Sequence, residues 1–168
     1  FFGERILATG GGLNAPIGIF VGESGDIYFA DTKNHWARRV DPSGVIATVA
    51  GNGNGGLSGD RKPATTARLN ASTGVFVDGS GKFYIADVSN HRIRKVDTSG
   101  IITTVAGSGT LGFAGEGGLE TEARLLSPSR IFTDALGSLY IADAGNHRIL
   151  KVDAGSGRVS TVAGSGDR

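Results

Sequence analysis

The chain repeats itself at a spacing of 56 residues. The first unit runs through Ile17–Val21, Asp26–Asp31, Asn34-His35, Val40-Asp41 and Val45–Gly51. The second returns as Thr73–Val77, Lys82–Asp87, Asn90-His91, Val96-Asp97 and Ile101–Gly107. The third follows as Ser129–Thr133, Ser138–Asp143, Asn146-His147, Val152-Asp153 and Arg158–Gly164, with one residue inserted within Ala154–Gly157. A repeat of fixed period restricts the fold more than composition does, because each unit must bury its apolar surface against its neighbours.

Each unit holds four short runs of Val, Ile, Phe, Tyr and Thr separated by Gly, Asp, Asn and Ser, which reads as four strands and tight turns. The first two runs are apolar on consecutive positions (Ile27, Tyr28, Phe29 and Ala30), as expected of strands buried on both faces between two layers. The third run is less regular. Ile93 and Val96 are three apart, which predicts a bulge or strong twist toward the outside of the unit. No long helical stripe competes; the stretch 64–69, echoed at 120–125, is long enough for one helical turn. Four-stranded units of this length predict an all-β propeller of three four-stranded blades. The expected divisions are 1–12 for an N-terminal strand, 13–51, 69–107 and 125–168 for the blades, and 52–68 and 108–124 for the connections.

The remaining composition closes off several readings. The 29 glycines are spread along the chain without a three-residue period, which excludes collagen and fits many tight turns. Cysteine is absent, so thiolate metal sites, disulfides and cysteine nucleophiles are impossible. No apolar run reaches the roughly 20 residues that span a bilayer as a helix. Seventeen basic residues against 16 acidic ones leave a net charge of +1 and no electrostatic basis for nucleic-acid binding.

The recurring Ala30-Asp31…Asn34-His35-Trp36, Ala86-Asp87…Asn90-His91-Arg92 and Ala142-Asp143…Asn146-His147-Arg148 resemble the signature of the NHL repeat. The resemblance covers nearly the whole chain. It implies a propeller of bacterial NHL type acting as a protein-interaction or ligand-binding scaffold, in an extracytoplasmic or secreted setting. Similar propellers also include lyases and hydrolases with a metal at the central channel, which keeps an enzyme as the alternative.

In an up-and-down blade, chain reversals alternate between the two faces of the disc. The long connections 52–68 and 108–124 therefore share a face with the Asp…Asn-His turns, while the turns at 22–25 and 42–44 lie opposite. Long and varied loops favour the first face for binding. Repeated residues are expected to be structural, because sameness across blades builds an architecture and a site needs asymmetry. His35, His91 and His147 are read as supports of their turns. Asp31, Asp87 and Asp143 are read as acceptors for N–H groups of the following turn. Asn34, Asn90 and Asn146 are expected at a positive φ. Asp60 and Glu116 lack the ligand spacing of a calcium loop.

Where the repeats differ, ligand contacts are expected. Trp36 stands where the other units have Arg92 and Arg148, and Arg130 where they have Gly18 and Gly74. Lys33, Arg61 and Lys62 belong to the first unit alone. No metal site or cofactor is predicted, apart from the channel metal of the alternative.

Three blades cannot close a ring, since closed propellers have about 4–8. An open arc would expose one apolar blade face at each end, and the two ends are complementary by construction. The expected partner is a second copy, two arcs forming a six-bladed ring with two-fold symmetry. The stretch 5–9 resembles a fourth strand and is expected to lie against the partner's third blade.

Overall fold

In the computed structural model, which describes residues 6–167, three antiparallel sheets follow one another along the chain. The first holds β2 (Pro16–Val21), β3 (Ile27–Asp31), β4 (Trp36–Val40) and β5 (Val45–Ala50). The second holds β7 (Gly74–Val77), β8 (Phe83–Asp87), β9 (Arg92–Val96) and β10 (Ile101–Ala106). The third holds β11 (Pro128–Thr133), β12 (Leu139–Asp143), β13 (Arg148–Val152) and β14 (Val159–Ala163). Each is a sequential meander, so the chain is an all-β propeller segment of three four-stranded blades. Among the described residues no helix is long and apolar enough to cross a membrane.

Two short strands extend this plan. β1 (Ile6–Leu7) pairs with β5, Ile6 opposite Ile46 and Leu7 opposite Val45. β6 (Lys62–Pro63) pairs in the same way with β10. These two segments each add a fifth strand to the outer edge of the blade that follows them, whereas the connection 108–124 makes with its blade only an isolated bridge between Leu119 and Arg158. Residues 6–10 repeat the strand and 3-10 turn of Lys62–Thr66 one period earlier, and they lie on their own blade rather than on a partner's third blade. The remainder of that predicted junction, residues 1–5, lies outside the described residues. A 3-10 turn at Ala64–Thr66 fulfils the helical turn expected over 64–69, whereas 120–125 forms turns without a helix.

The irregularity expected in the third run falls on its neighbour. Arg38 pairs with Thr48 and Ala37 with Ala50, so Val49 is the extra residue. Val105 and Val162 are bulged in the same way. The third strand keeps its alternation because the fourth absorbs the additional residue.

The core lies between the blades. On β2, β7 and β11 alternate residues face opposite neighbours: Val75 packs with Ala30 toward blade one, and Phe76 packs with Ile131 toward blade three. Phe20, Phe76 and Phe132 form an aromatic ladder across the three blades, with ring centroids 5.0 and 4.9 Å apart. Ala64, Ala67 and Leu69 fill the wedge between the first two blades, and Ala123 with Leu125 fills the next.

Candidate functional site

The Asp…Asn-His turn is built identically three times. Asp31, Asp87 and Asp143 end the second strand of their blades and are fully buried. One carboxylate oxygen accepts the backbone N–H of the incoming connection, from Asn14, Asn70 and Leu126, each at 2.7 Å. The other accepts the side-chain amide of Asn34, Asn90 or Asn146, at 2.9, 2.8 and 2.6 Å. The aspartates therefore tie the incoming connection, 17 residues upstream, to the turn, and do not cap the following turn's N–H groups as expected. Burial raises the pKa of Asp87 and Asp143 above the ordinary carboxylate value, against the pull of these hydrogen bonds.

The asparagines close a 3-10 turn, and the left-handed residue is the histidine after it: φ is 54° at His35, 52° at His91 and 54° at His147. This corrects the expectation for Asn34, Asn90 and Asn146. Their amides are committed to the aspartate, and at Asn90 and Asn146 also to the carbonyls of Gly56 and Gly112 in the long connection, so the reversal falls one residue later. The histidines reach across blades. Nδ1 of His35 accepts the N–H of Ala71 at 3.3 Å, and Nδ1 of His91 accepts that of Ser127 at 3.4 Å. Among the described residues no three His, Cys, Asp or Glu side chains gather in an arrangement suited to a metal ion.

The candidates drawn from repeat differences do not converge. Trp36 is half-buried, its indole packed on Gly53 and 5.0 Å from the Arg38 guanidinium. Arg92 in the same place donates to the carbonyls of Gly107 (3.1 Å) and Ser108 (2.5 Å). Arg148 donates to those of Gly164 and Ser165. All three thus cover the glycine loop after their own fourth strand. Lys33 is exposed beside the first turn. Arg61 and Lys62 belong to the outer edge of blade two, where Lys62 opposite Ile102 forms β6. Arg130 stands apart on the innermost strand, Nη1 donating to the carbonyl of Ser129 at 3.0 Å. Asp60 pairs with the buried Arg94 at 2.7 Å, and Glu116 accepts the N–H and hydroxyl of Thr161, so neither loop acid is poised as a ligand.

Two features escape the sequence reading. Leu57 and Phe113 stand at equivalent positions of the long connections and are both exposed, Phe113 with the Arg148 guanidinium 4.2 Å from its ring centroid. Apolar residues recurring inside glycine-rich loops were the available signal. A concavity of about 830 Å3 opens on the opposite face, between the turns joining the first two strands of the three blades (Gly22–Ser24, Asp78–Lys82 and Asp134–Gly137) and the rings of Phe20, Phe76 and Phe132. A second of about 510 Å3 is lined by Arg61, Arg92, Lys95 and Thr121.

The ends of the arc are bare. Leu69 and Leu125 are 0% and 1% exposed, but Leu13, one repeat earlier, is 43% exposed. Ile19 is 71% exposed where Val75 and Ile131 are 8%. At the other end Phe132 is 58% exposed against 8% for Phe76, and Ile149 and Val162 stand open beside it. These positions are the repeat equivalents of residues that form the inter-blade core within the chain.

A family model described as the Teneurin NHL domain matches residues 52–114. The chain is 30% identical over 174 residues to teneurin-4 of Mus musculus, covering 96% of this chain and 6% of that protein. It is 33% identical over 144 residues to NHL repeat-containing protein 2 of Gallus gallus, covering 80% of this chain and 19% of that protein. Among solved structures, a streptogramin B lyase superposes with a TM-score of 0.61 at 17% identity, over 95% of this chain and 42% of that one. The chain therefore spans less than half the length of each of these proteins.

Proposed function

We propose, on the premise that this chain belongs to the NHL-repeat family, that it is a non-catalytic binding scaffold whose ring is completed by a second copy. The observation that carries the scaffold reading is the use of the repeat's polar residues. Every Asp and Asn of the signature turns ties its own blade together, and His35 and His91 each tie theirs to the next. Around that frame the loop face exposes Leu57, Leu111, Phe113 and Lys33, with Trp36 half-buried among the turns. Exposed aromatic and aliphatic side chains together with a cation on one face suit a protein segment or a small molecule with an apolar body.

The second copy is supported by continuity with the joints inside the chain. The blade-three face offers Phe132, Ile149 and Val162 to the same kind of surface that Val75 and Leu69 form within the molecule, and Ile19 and Leu13 are that surface's counterparts in blade one. Two arcs joined at both ends give six blades and two equivalent seams. Light scattering at micromolar concentration tests this. Twice the chain mass is expected, and a stable folded monomer would rule the assembly out. Elemental analysis of dialysed protein tests the scaffold reading. A stoichiometric transition metal that disappears in His91→Ala would replace it with a channel-metal enzyme, the reaction class of the lyase-like alternative.

A further inference from the structure

We infer that Arg130 sets how tightly the ring closes, by keeping the inner edges of the seam between copies further apart than those of the joints within a chain; this rests on the closed-dimer reading above. Gly18, Gly74 and Arg130 occupy one repeat position on the three innermost strands. A β-carbon on Gly18 would overlap the carbonyl oxygen of Thr73 on the next blade. One on Gly74 would overlap that of Ser129 and come within 3.2 Å of the β-carbon of Ala86. At both internal joints, then, the following blade seats a backbone carbonyl directly against a bare glycine.

The same register carried to the seam places the carbonyl of the second copy's Ile17 against residue 130, since positions 17, 73 and 129 are one repeat apart. Residue 130 is not a glycine. Arg130 pairs with Ala142 as Gly74 pairs with Ala86, so its β-carbon points where Gly74 leaves room. Its guanidinium does not enter the seam. Nη1 lies back along the inner wall, donating to Ser129 at 3.0 Å and reaching the Thr73 carbonyl at 3.4 Å. The obstacle is therefore the β-carbon and not the charge. The outer parts of the seam, Phe132 and Ile149 against Ile19 and Leu13, can still pack, which leaves a contact weaker than an internal joint. A ring with two such seams dissociates into intact arcs before any blade unfolds.

The distinction between β-carbon and charge gives the test: dimer dissociation constants from sedimentation equilibrium for wild type, Arg130→Ala and Arg130→Gly, with far-UV spectra confirming that each is folded. Overpacking costs about 1–3 kcal/mol, so Arg130→Gly is expected to tighten the dimer at least about ten-fold, while Arg130→Ala, which keeps the β-carbon, shifts it less than about three-fold. Equal tightening by Ala and Gly, or none by Gly in a protein that does dimerise, overturns the seam inference and leaves the closed-dimer reading standing. If none of the three dimerises, both fall together.

Discussion

His35 accepts the backbone N–H of Ala71 through Nδ1 at 3.3 Å, binding the signature turn of one blade to the strand entrance of the next. His91 makes the same bond to Ser127, and in both cases the N–H belongs to a residue of positive φ, 50° and 52°. The bond therefore holds an unusual backbone conformation in place as well as joining two blades. His91→Ala is expected to cost about 1–3 kcal/mol, because the partly buried N–H of Ser127 loses its acceptor. In a chain of this size that lowers the melting temperature by about 2–4 °C per kcal/mol. Calorimetry on the variant decides it, and an unchanged transition would show that water replaces the imidazole.

Burial makes two of the aspartates a source of pH dependence. Asp87 lies under blade two with Arg94 at 3.4 Å, both fully buried, and its folded pKa stands above the ordinary 3.8. A carboxylate with a raised folded pKa binds its proton more tightly when folded, so stability falls as pH rises through the interval between 3.8 and that value. Arg94→Leu removes the opposing positive charge and widens the interval. The variant is expected to lose about 3 kcal/mol near neutral pH and much less near pH 4. Leucine is a realistic replacement, since Leu150 already fills this position in blade three, where Asp143 takes its hydrogen bonds from Asn146 and Leu126. Urea titrations at the two pH values give the answer, and a pH-independent loss would assign the effect to packing.

Trp36 plays the part of an arginine. Arg92 and Arg148 cap the glycine loop with hydrogen bonds to two carbonyls, and the indole covers the same loop by packing on Gly53. Trp36→Arg is expected to change stability by less than about 1 kcal/mol, because the loop carbonyls of blade one offer the same acceptors. The half-buried indole should be quenched by acrylamide in solution. A fully protected indole would mean that blade one packs differently from its sisters.

The blades were legible because the repeat prints each strand three times, and an accident in one copy is corrected by the other two. The turn chemistry was less so. Asn tolerates positive φ well in general, which favoured Asn34 over His35, yet the carboxylate of Asp31 holds the Asn34 amide and passes the reversal on. That bond is set by a connection arriving from 17 residues upstream, which local sequence does not display. The role of residues 6–10 was hidden in the same way. Ile6-Leu7 looks like a fourth strand in composition, and only its pairing with β5 shows it to be a fifth. Of the candidate residues, Trp36 and Arg130 were found because they break the repeat, whereas Leu57 and Phe113 were passed over because they obey it.

The end faces provide the sharpest test of head-to-tail closure. Ile19 and Phe132 are exposed at opposite ends of one chain, so an aspartate at either is compatible with a folded arc. In a closed dimer each would instead bury an unpaired carboxylate at both seams, weakening association by more than about a hundred-fold. Ile19→Asp and Phe132→Asp should each be monomeric where wild type is dimeric. Mixing the two is more informative. A pair made of one copy of each places both carboxylates at a single seam and leaves the other seam entirely wild type. Equimolar mixing should therefore recover a dimer, held by that one seam, at concentrations where either variant alone stays monomeric. A back-to-back arrangement, in which like ends meet, predicts a different outcome: each variant would retain one intact contact of its own and dimerise without the other. Light scattering on the two variants and their mixture separates these cases, and a mixture that stays monomeric beside a dimeric wild type would exclude the head-to-tail ring.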